Sequence, residues 1–335
     1  MYAVTFHPNG KHVLGGNEDG IRRWQLADGQ EVGKQAGMEL QAIAVSRDDK
    51  WVVCGTRKGA SVWDGEMCKK AIDVESENDV WAVGISPDST RFVTATDKAM
   101  SIWSLTSGER LVGPLEHDDH VSDVRFSPNG EHIAIACLDN SIRIIDSHTG
   151  VSLIAINTDV PQWGPATPLA WLSDGQEIFT ASHDNKIRSF DTSTGSPLAE
   201  SQPLHNISNI VHSIALAANG KFIAVFVLSS ISFLDASTLT HIGPVIGDSD
   251  GKLIRSIAIS VDSSQLATGR EDGKIVIRDL SKILPDSYGP FHVSRNLGMS
   301  NNPHPVSYGD TLYRHLLART HGKTSMTIRH RTLTE

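Results

Sequence analysis

An all-β ring of seven small antiparallel sheets is what this 335-residue sequence predicts, and three observations predict it. The first is residues 108–150, one complete unit of four short segments with alternating apolar and polar residues. Turn residues separate them: Ser127–Pro128–Asn129–Gly130, then Asp139–Asn140, then a loop opened by Asp146 and closed by Gly150. Period-two alternation bounded by Gly, Pro, Asn and Asp describes a four-stranded antiparallel sheet. The second is recurrence. Aligned on the end of the third strand, the units fall at Trp24, Trp63, Trp103, Ile145, Phe190, Leu234 and Arg278, at intervals of 39, 40, 42, 45, 44 and 44 residues. A sheet of this size cannot bury both faces alone, and a period near 40 is that of propeller blades. The third is composition: 28 glycines and only 6% aromatic residues suit many short strands and tight turns. The fold class is therefore a seven-bladed β-propeller, residues 1–294, followed by a short irregular or partly helical tail, residues 295–335.

Each blade can be justified in order. Blade one has a first strand at 2–6, turned by His7–Pro8–Asn9–Gly10, then strands near 13–16, 21–24 and 31–36. It lacks the polar corner that precedes the other blades, which points to a longer ancestral chain. Blade two takes 43–45, 51–54, 60–63 and 70–74, with Arg57–Lys58 where other blades carry a turn aspartate. Blade three (80–85, 92–95, 100–103, 110–115) is turned by Ser86–Pro87–Asp88 and by Asp97. Blade four is the opening unit, with its outer strand near 152–156. Blade five follows the proline-rich loop 161–168 with strands at 169–171, 177–181, 186–190 and 198–203. Blade six (from Val211, then 222–227 and 231–234) has Leu228 in place of the turn aspartate. Blade seven starts at Ile254, turns at Glu271–Asp272–Gly273 and should finish with an outer strand at 288–292. There Gly289–Pro290–Phe291 echoes Gly113–Pro114–Leu115 and Gly243–Pro244–Val245. On this reading no blade is shared between the termini, and side-chain packing of blade one on blade seven closes the ring.

Trp63–Asp64 is an intact Trp-Asp pair, and an Asp follows the aligned position again at Asp146, Asp191, Asp235 and Asp279. On these residues the sequence resembles the WD-repeat (WD40) family over residues 2 to about 292. The outer-strand phrases, with 106–121 (TSGERLVGPLEHDDHV), are similar to WD repeats of fungal NACHT-type signalling proteins. No GxxxxGK[ST] loop occurs, so an NTPase would lie outside this chain. The resemblance implies a His–Ser/Thr–Asp–Trp hydrogen-bonded tetrad in each blade, and no blade here has all four. Blade four keeps His117 and Asp139 but has Ile145. Blade three keeps Thr94, Asp97 and Trp103 but has Ser76 at the corner. Blade five keeps Thr180 and Asp184 beside Gln162 and Phe190. Turn aspartates without a histidine are expected to accept backbone N–H groups instead.

Composition bounds the function. The net charge is −9; residues 295–335 hold Arg295, Arg314, Arg319, Lys323, Arg329 and Arg331 against Asp310 and Glu335, a net +4, so residues 1–294 carry −13. An acidic body repels phosphate and argues against nucleic acid as the partner. In the tail, Asp310 could cap a short helix with Leu312, Tyr313, Leu316 and Leu317 on one face. Cys54, Cys68 and Cys137 read as reduced thiols of a cytoplasmic or nuclear protein. There is no membrane-length apolar run and no secretory signal. His117 and His120 with Asp118–Asp119 imitate a metal cluster, but His117 stands where the family places a structural histidine. Ser182–His183–Asp184 has the residue types of a hydrolase triad, but hairpin neighbours cannot adopt its geometry. Asp48–Asp49 reads as solvated turn charge. No catalytic residue, cofactor or metal is assigned, and nothing points to a homo-oligomer.

Two function classes remain. The resemblance implies a non-catalytic protein-interaction scaffold or sensor that binds a protein or peptide on the rim near the central channel. Mapped residue by residue, that rim holds Tyr2, Glu18, Asp79, Trp81, His120, Leu138, His183, Ile210, His212, Leu253, Arg255 and Glu271. Trp81 is its expected centre, because alternation turns it away from the inward-packing Val80. His120 and His212 would give such a site pH sensitivity between about 5 and 8 if their shifts are small. The alternative is an enzyme propeller of lactonase-like type acting on a small molecule, since blade four resembles those proteins in phrasing.

Overall fold

The computed structural model describes residues 3–67, 69–158, 168–182, 184–204, 211–247 and 251–289, and the backbone of one further strand, Ser325–Arg329. Its strands form seven four-stranded sheets. Blade one is Ala3–Phe6, His12–Asn17, Gly20–Gln25 and Glu31–Ala36. Blade two is Leu40–Val45, Trp51–Thr56, Gly59–Asp64 and Lys70–Glu75. Blade three is Ala82–Ile85, Arg91–Ala95, Ala99–Ser104 and Arg110–Glu116. Blade four is Val121–Phe126, His132–Cys137, Ser141–Asp146 and Ser152–Asn157. Blade five is Leu169–Trp171, Glu177–Ala181, Ile187–Asp191 and Pro197–Glu200. Blade six is Ser213–Leu216, Phe222–Val227, Ser230–Asp235 and Ile246–Gly247. Blade seven is Ile254–Ile259, Gln265–Arg270, Lys274–Asp279 and Ser325–Arg329.

One local device makes the first hairpin of every blade. Asn9, Asp48, Asp88, Asn129, Asp174, Asn219 and Asp262 each accept the backbone N–H two residues on, at 2.8–3.2 Å. The residue after each has positive φ, between 58° and 78°: Gly10, Asp49, Ser89, Gly130, Gly175, Gly220 and Ser263. A side-chain carbonyl or carboxylate that imitates a backbone turn, followed by one left-handed residue, reverses the chain tightly. Four of the seven left-handed positions are glycine, where that conformation carries no Cβ penalty.

Blades pack face to face through apolar side chains. Ala3, Leu14 and Ile21 of blade one bury against Leu40, Ile43 and Val45 of blade two, and the pattern repeats around the ring. Two close approaches require glycine. A Cβ on Gly16 would lie 2.1 Å from Leu40, the first strand residue of the next blade, and one on Gly55 would lie 2.8 Å from the Val80 carbonyl. Between blades seven and one, Val4, Phe6, Val13 and Trp24 pack on Ala258, Ala267, Ile275 and Ile277. The Val4 amide donates to Ser256 Oγ across the same seam at 3.1 Å.

Polar bonds between blades accompany this packing. Buried Arg91 of blade three donates to the Ser147 carbonyl and the Gly130 carbonyl of blade four, at 2.8 and 3.1 Å. Arg23 of blade one reaches the Gly65 carbonyl and Glu66 of blade two. The Leu169 amide of blade five donates to the buried Asp123 carboxylate of blade four at 3.0 Å. Inside the blades, part of the tetrad survives where the residues allow. Trp103 Nε1 donates to Thr94 Oγ1 at 2.9 Å, and in blade seven Arg278 makes the same bond to Thr268 at 2.8 Å. Asp139 accepts from the Ser141 amide, the Ser141 hydroxyl and Arg143 rather than from His117. Asp184 likewise accepts from the Lys186 amide and Arg188.

The outer strands correct the sequence reading in two blades. Gly243–Pro244–Val245 is not strand; blade six has only Ile246–Gly247, with a single bridge from Leu234 to His241. In blade seven Tyr288 ends a 3-10 turn, Asp286–Tyr288, instead of opening an outer strand. Leu280 and Leu284 are buried against blade six beside Ile283 and Tyr288. Tyr288 Oη donates to Asp235 at 2.7 Å, and Lys221 Nζ donates to the Ser287 carbonyl. This apolar segment draws the chain under blade six, so the fourth place in blade seven is taken by Ser325–Arg329, parallel to its neighbour. Pro290, Phe291 and the proposed helix from Asp310 lie outside the described residues.

Candidate protein-binding rim

In each blade the start of the first strand lies beside the end of the second, so corner and turn residues share one rim. At blade three the Trp81 amide donates to the Ala95 carbonyl at 2.9 Å, which fixes the indole just ahead of Ala82–Ile85. The ring is half-buried, and its Nε1 donates to Asp97 Oδ1 at 2.8 Å. The Asp97 side chain is 56% exposed. From blade four, the His120 ring lies 6.1 Å from the Trp81 ring at 49°, with Nε2 3.6 Å from the same carboxylate oxygen. Lys98 Nζ donates to the Asp118 carbonyl at 2.9 Å. Arg57 of blade two sits 2.8 Å from Glu39 and 4.0 Å from Asp79.

Burial sets the electrostatics here. It pushes the His120 pKa below the usual imidazole value, against the pull of Asp97 and Asp119. It pushes the Asp79 carboxyl up, opposed by Arg57 and reinforced by Asp97 and Glu39. Both effects have one origin, since low dielectric disfavours the charged form of either group.

Of the rim residues expected from sequence, the structure brings Asp79, Trp81, His120 and Leu138 into one neighbourhood; the Leu138 amide donates to the His120 carbonyl at 2.9 Å. Leu253, Arg255 and Glu271 form a second group. The Leu253 amide lies 3.3 Å from Glu271 Oε1, and Arg255 lies 3.7 Å from the same carboxylate. His212 stacks on Phe226 at 5.7 Å, and burial lowers its pKa. Because His120 and His212 are both shifted down, their response to pH moves to the acid side of the expected window. Glu18 is exposed in the turn of blade one. Tyr2, His183 and Ile210 lie outside the described residues. Sequence reasoning passed over Asp97 and Arg57 as rim residues. The signal for Asp97 was there: with Ser76 at the corner where a histidine would bind it, this turn aspartate is left to Trp81.

The other chemical groups are engaged in structure. Burial raises the Cys54 thiol and pushes Cys137 to about 12, far from thiolate reactivity. Asp184, beside His183, is paired with Arg188 at 2.5 Å. Among the described residues no group of three or more His, Cys, Asp or Glu is placed to hold a metal ion. Among them, too, no helix is long and apolar enough to cross a membrane.

Comparison with known proteins places the chain. Residues 35–165 match the family described as the anaphase-promoting complex subunit 4 WD40 domain, and residues 239–279 match the WD domain, G-beta repeat. Protein HIR1 of Eremothecium gossypii is 26% identical over 225 residues, 53% of this chain and 27% of that protein. The small ribosomal subunit protein RACK1 of Drosophila melanogaster is 30% identical over 150 residues, 42% of this chain and 46% of that one. The chain thus spans less than half the length of either relative. Among solved structures, U3-55K superposes with a TM-score of 0.70 at 14% identity, covering 80% of this chain and 88% of the other. The Cps50 (Swd1) β-propeller domain of Myceliophteria thermophila gives 0.71 at 15%, covering 81% and 92%. The repeat matches fall on a ring of seven four-stranded blades and support the WD40-repeat family: the chain is a seven-bladed β-propeller with WD40-type repeats.

Proposed function

We propose that this propeller is a non-catalytic scaffold that binds a protein or peptide on the rim of blades three and four, centred on Trp81. One observation carries the reading: a half-buried tryptophan holds its indole N–H on the exposed Asp97 carboxylate and turns its ring towards His120 of the next blade. A large amphipathic ring fixed by a hydrogen bond, yet partly open to solvent, has the character of an interface anchor. The surrounding charge is acidic, from Glu39, Asp79, Asp97, Asp118 and Asp119 around Arg57 and Lys98. A basic segment therefore suits it, its cation placed over the indole or beside Asp97. The names of similar proteins agree with work in assemblies, since they include a ribosomal subunit protein and a subunit of the anaphase-promoting complex. The resemblance of residues 106–121 to WD repeats of fungal NACHT-type signalling proteins, read from sequence, would make signalling the setting.

The test is Trp81→Ala in affinity capture from the native host, beside Leu198→Ala on the exposed outer strand of blade five. Trp81→Ala should keep its melting temperature within about 4 °C of the wild type and lose captured partners that Leu198→Ala retains. A fully packed tryptophan would instead cost about 3–5 kcal/mol on truncation. That loss, or an unchanged set of captured proteins, contradicts the proposal.

A further inference from the structure

The outer edge of blade seven is built unlike the other six. In blades one to five the fourth strand returns antiparallel after short connections such as residues 26–30, 65–69 and 147–151. Each of those pairings carries a register shift next to the turn. Blade six also returns antiparallel, through residues 236–245. In blade seven the third strand, Lys274–Asp279, is followed by a segment that leaves for blade six, anchored by Leu280, Leu284 and Tyr288. Its edge is filled only from Ser325–Arg329, in parallel and without a register shift.

We infer that this edge is a strand-accepting site, occupied in cis by the chain's own C-terminal segment, where an extended peptide of a partner protein can pair in its place. Three physical reasons support exchange. Parallel pairing is slightly less stable per residue than the antiparallel pairing of the other blades. Closing the long connection costs more entropy than closing a five-residue turn. The third strand is anchored independently of the fourth, since Ile275 and Ile277 pack in the same core cluster as Val4, Phe6, Val13 and Trp24 of blade one and the strand pairs along its length with the second strand of its own blade. An edge held flat by its neighbours presents main-chain donors and acceptors to any extended segment. The resident segment also indicates what fits. Residues 325–329 set Met326 and Ile328 between polar neighbours, and the flanking sequence carries Lys323, Arg329 and Arg331, while Glu271, Asp272 and Asp279 flank the edge on a body of net negative charge. The expected partner segment is extended, alternating and basic.

The full chain tests this, with and without Met326→Pro/Thr327→Pro. Two adjacent prolines remove pairing amides of both parities from the resident strand. The probe is a fluorescent peptide of residues 322–332, with a scrambled peptide as control. The double variant should bind the probe at least tenfold more tightly than the wild type and ignore the scrambled peptide, because the tethered competitor has been removed. Equal binding to both proteins, or binding to neither, overturns the proposal. Loss of cooperative melting in the double variant also overturns it, since the strand would then be an obligatory part of the blade. A wild-type dimer that the prolines abolish would assign the edge to a second copy of the chain, and so overturn it too.

Discussion

Arg91 shows how much of this ring depends on single side chains that no repeat pattern singles out. Its guanidinium is buried, lies 5.7 Å from the centre of the Phe126 ring and reaches two carbonyls and a hydroxyl of blade four. A buried acceptor left without its donor costs about 1–3 kcal/mol. Arg91→Ala should therefore lower unfolding stability by about 3 kcal/mol, read from the denaturation midpoint at unchanged slope. A loss below about 1 kcal/mol would show that water replaces these bonds. Sequence could not reveal this role, because an arginine opening a strand usually points to solvent. The hairpin residues were legible for the opposite reason. Asn9, Asp88 and Asn129 act on amides only two positions away, so their chemistry is local. Trp81 stands between these cases: alternation placed it away from Val80, but its bond to Asp97 spans a hairpin and emerges only when the corner and the turn meet.

At the scale of elements, the inner three strands of each blade follow from period-two alternation and turn chemistry alone. The outer strands do so only where a short connection forces them back. Gly113–Pro114–Leu115 lies in such a strand, Arg110–Glu116, while the similar phrase at Gly243 does not. The phrase is compatible with strand but does not decide it; the connection decides it. In blade seven the spacing of Leu280, Ile283 and Leu284 carries the better clue, an apolar stripe that needs a surface and finds it on blade six. Ser325–Arg329 was hidden by distance along the chain, because no local signal says which edge a remote strand will join. The longer connection, relative to a five-residue turn, amounts to about three doublings of loop length, or about 2 kcal/mol. That cost falls on one edge and leaves the inner strands of the blade intact.

For the whole molecule, ring closure comes from side chains, with Trp24 and Phe6 packed on Ala258 and Ile277 and no main-chain ladder joining the termini among the described residues. Stability should also carry an acid signature. Burial lowers the pKa of His7, His12, His117, His120 and His212 below the ordinary 6.5. Between each folded value and 6.5 the unfolded chain binds more protons, so stability is complete above 6.5 and declines as the pH falls below it. Asp48, Asp88, Asp139 and Asp184 are held below the ordinary 3.8 by hydrogen-bond donors that outweigh their desolvation, which adds a second loss as the pH falls below about 4. The melting temperature should be level between about pH 7 and 8 and fall in two stages on acidification. Calorimetry that finds it level from pH 7 to 5 would refute the buried neutral histidines.

The central claim is that partners meet this ring at the rim of blades three and four. Site-specific photo-crosslinking tests it most directly, with a benzophenone side chain at Lys98, next to Asp97, and, separately, at Leu198 on the outer strand of blade five. The account predicts crosslinks to a captured protein from position 98 and none from position 198. Crosslinks from position 198 alone, or equally from both, would contradict it.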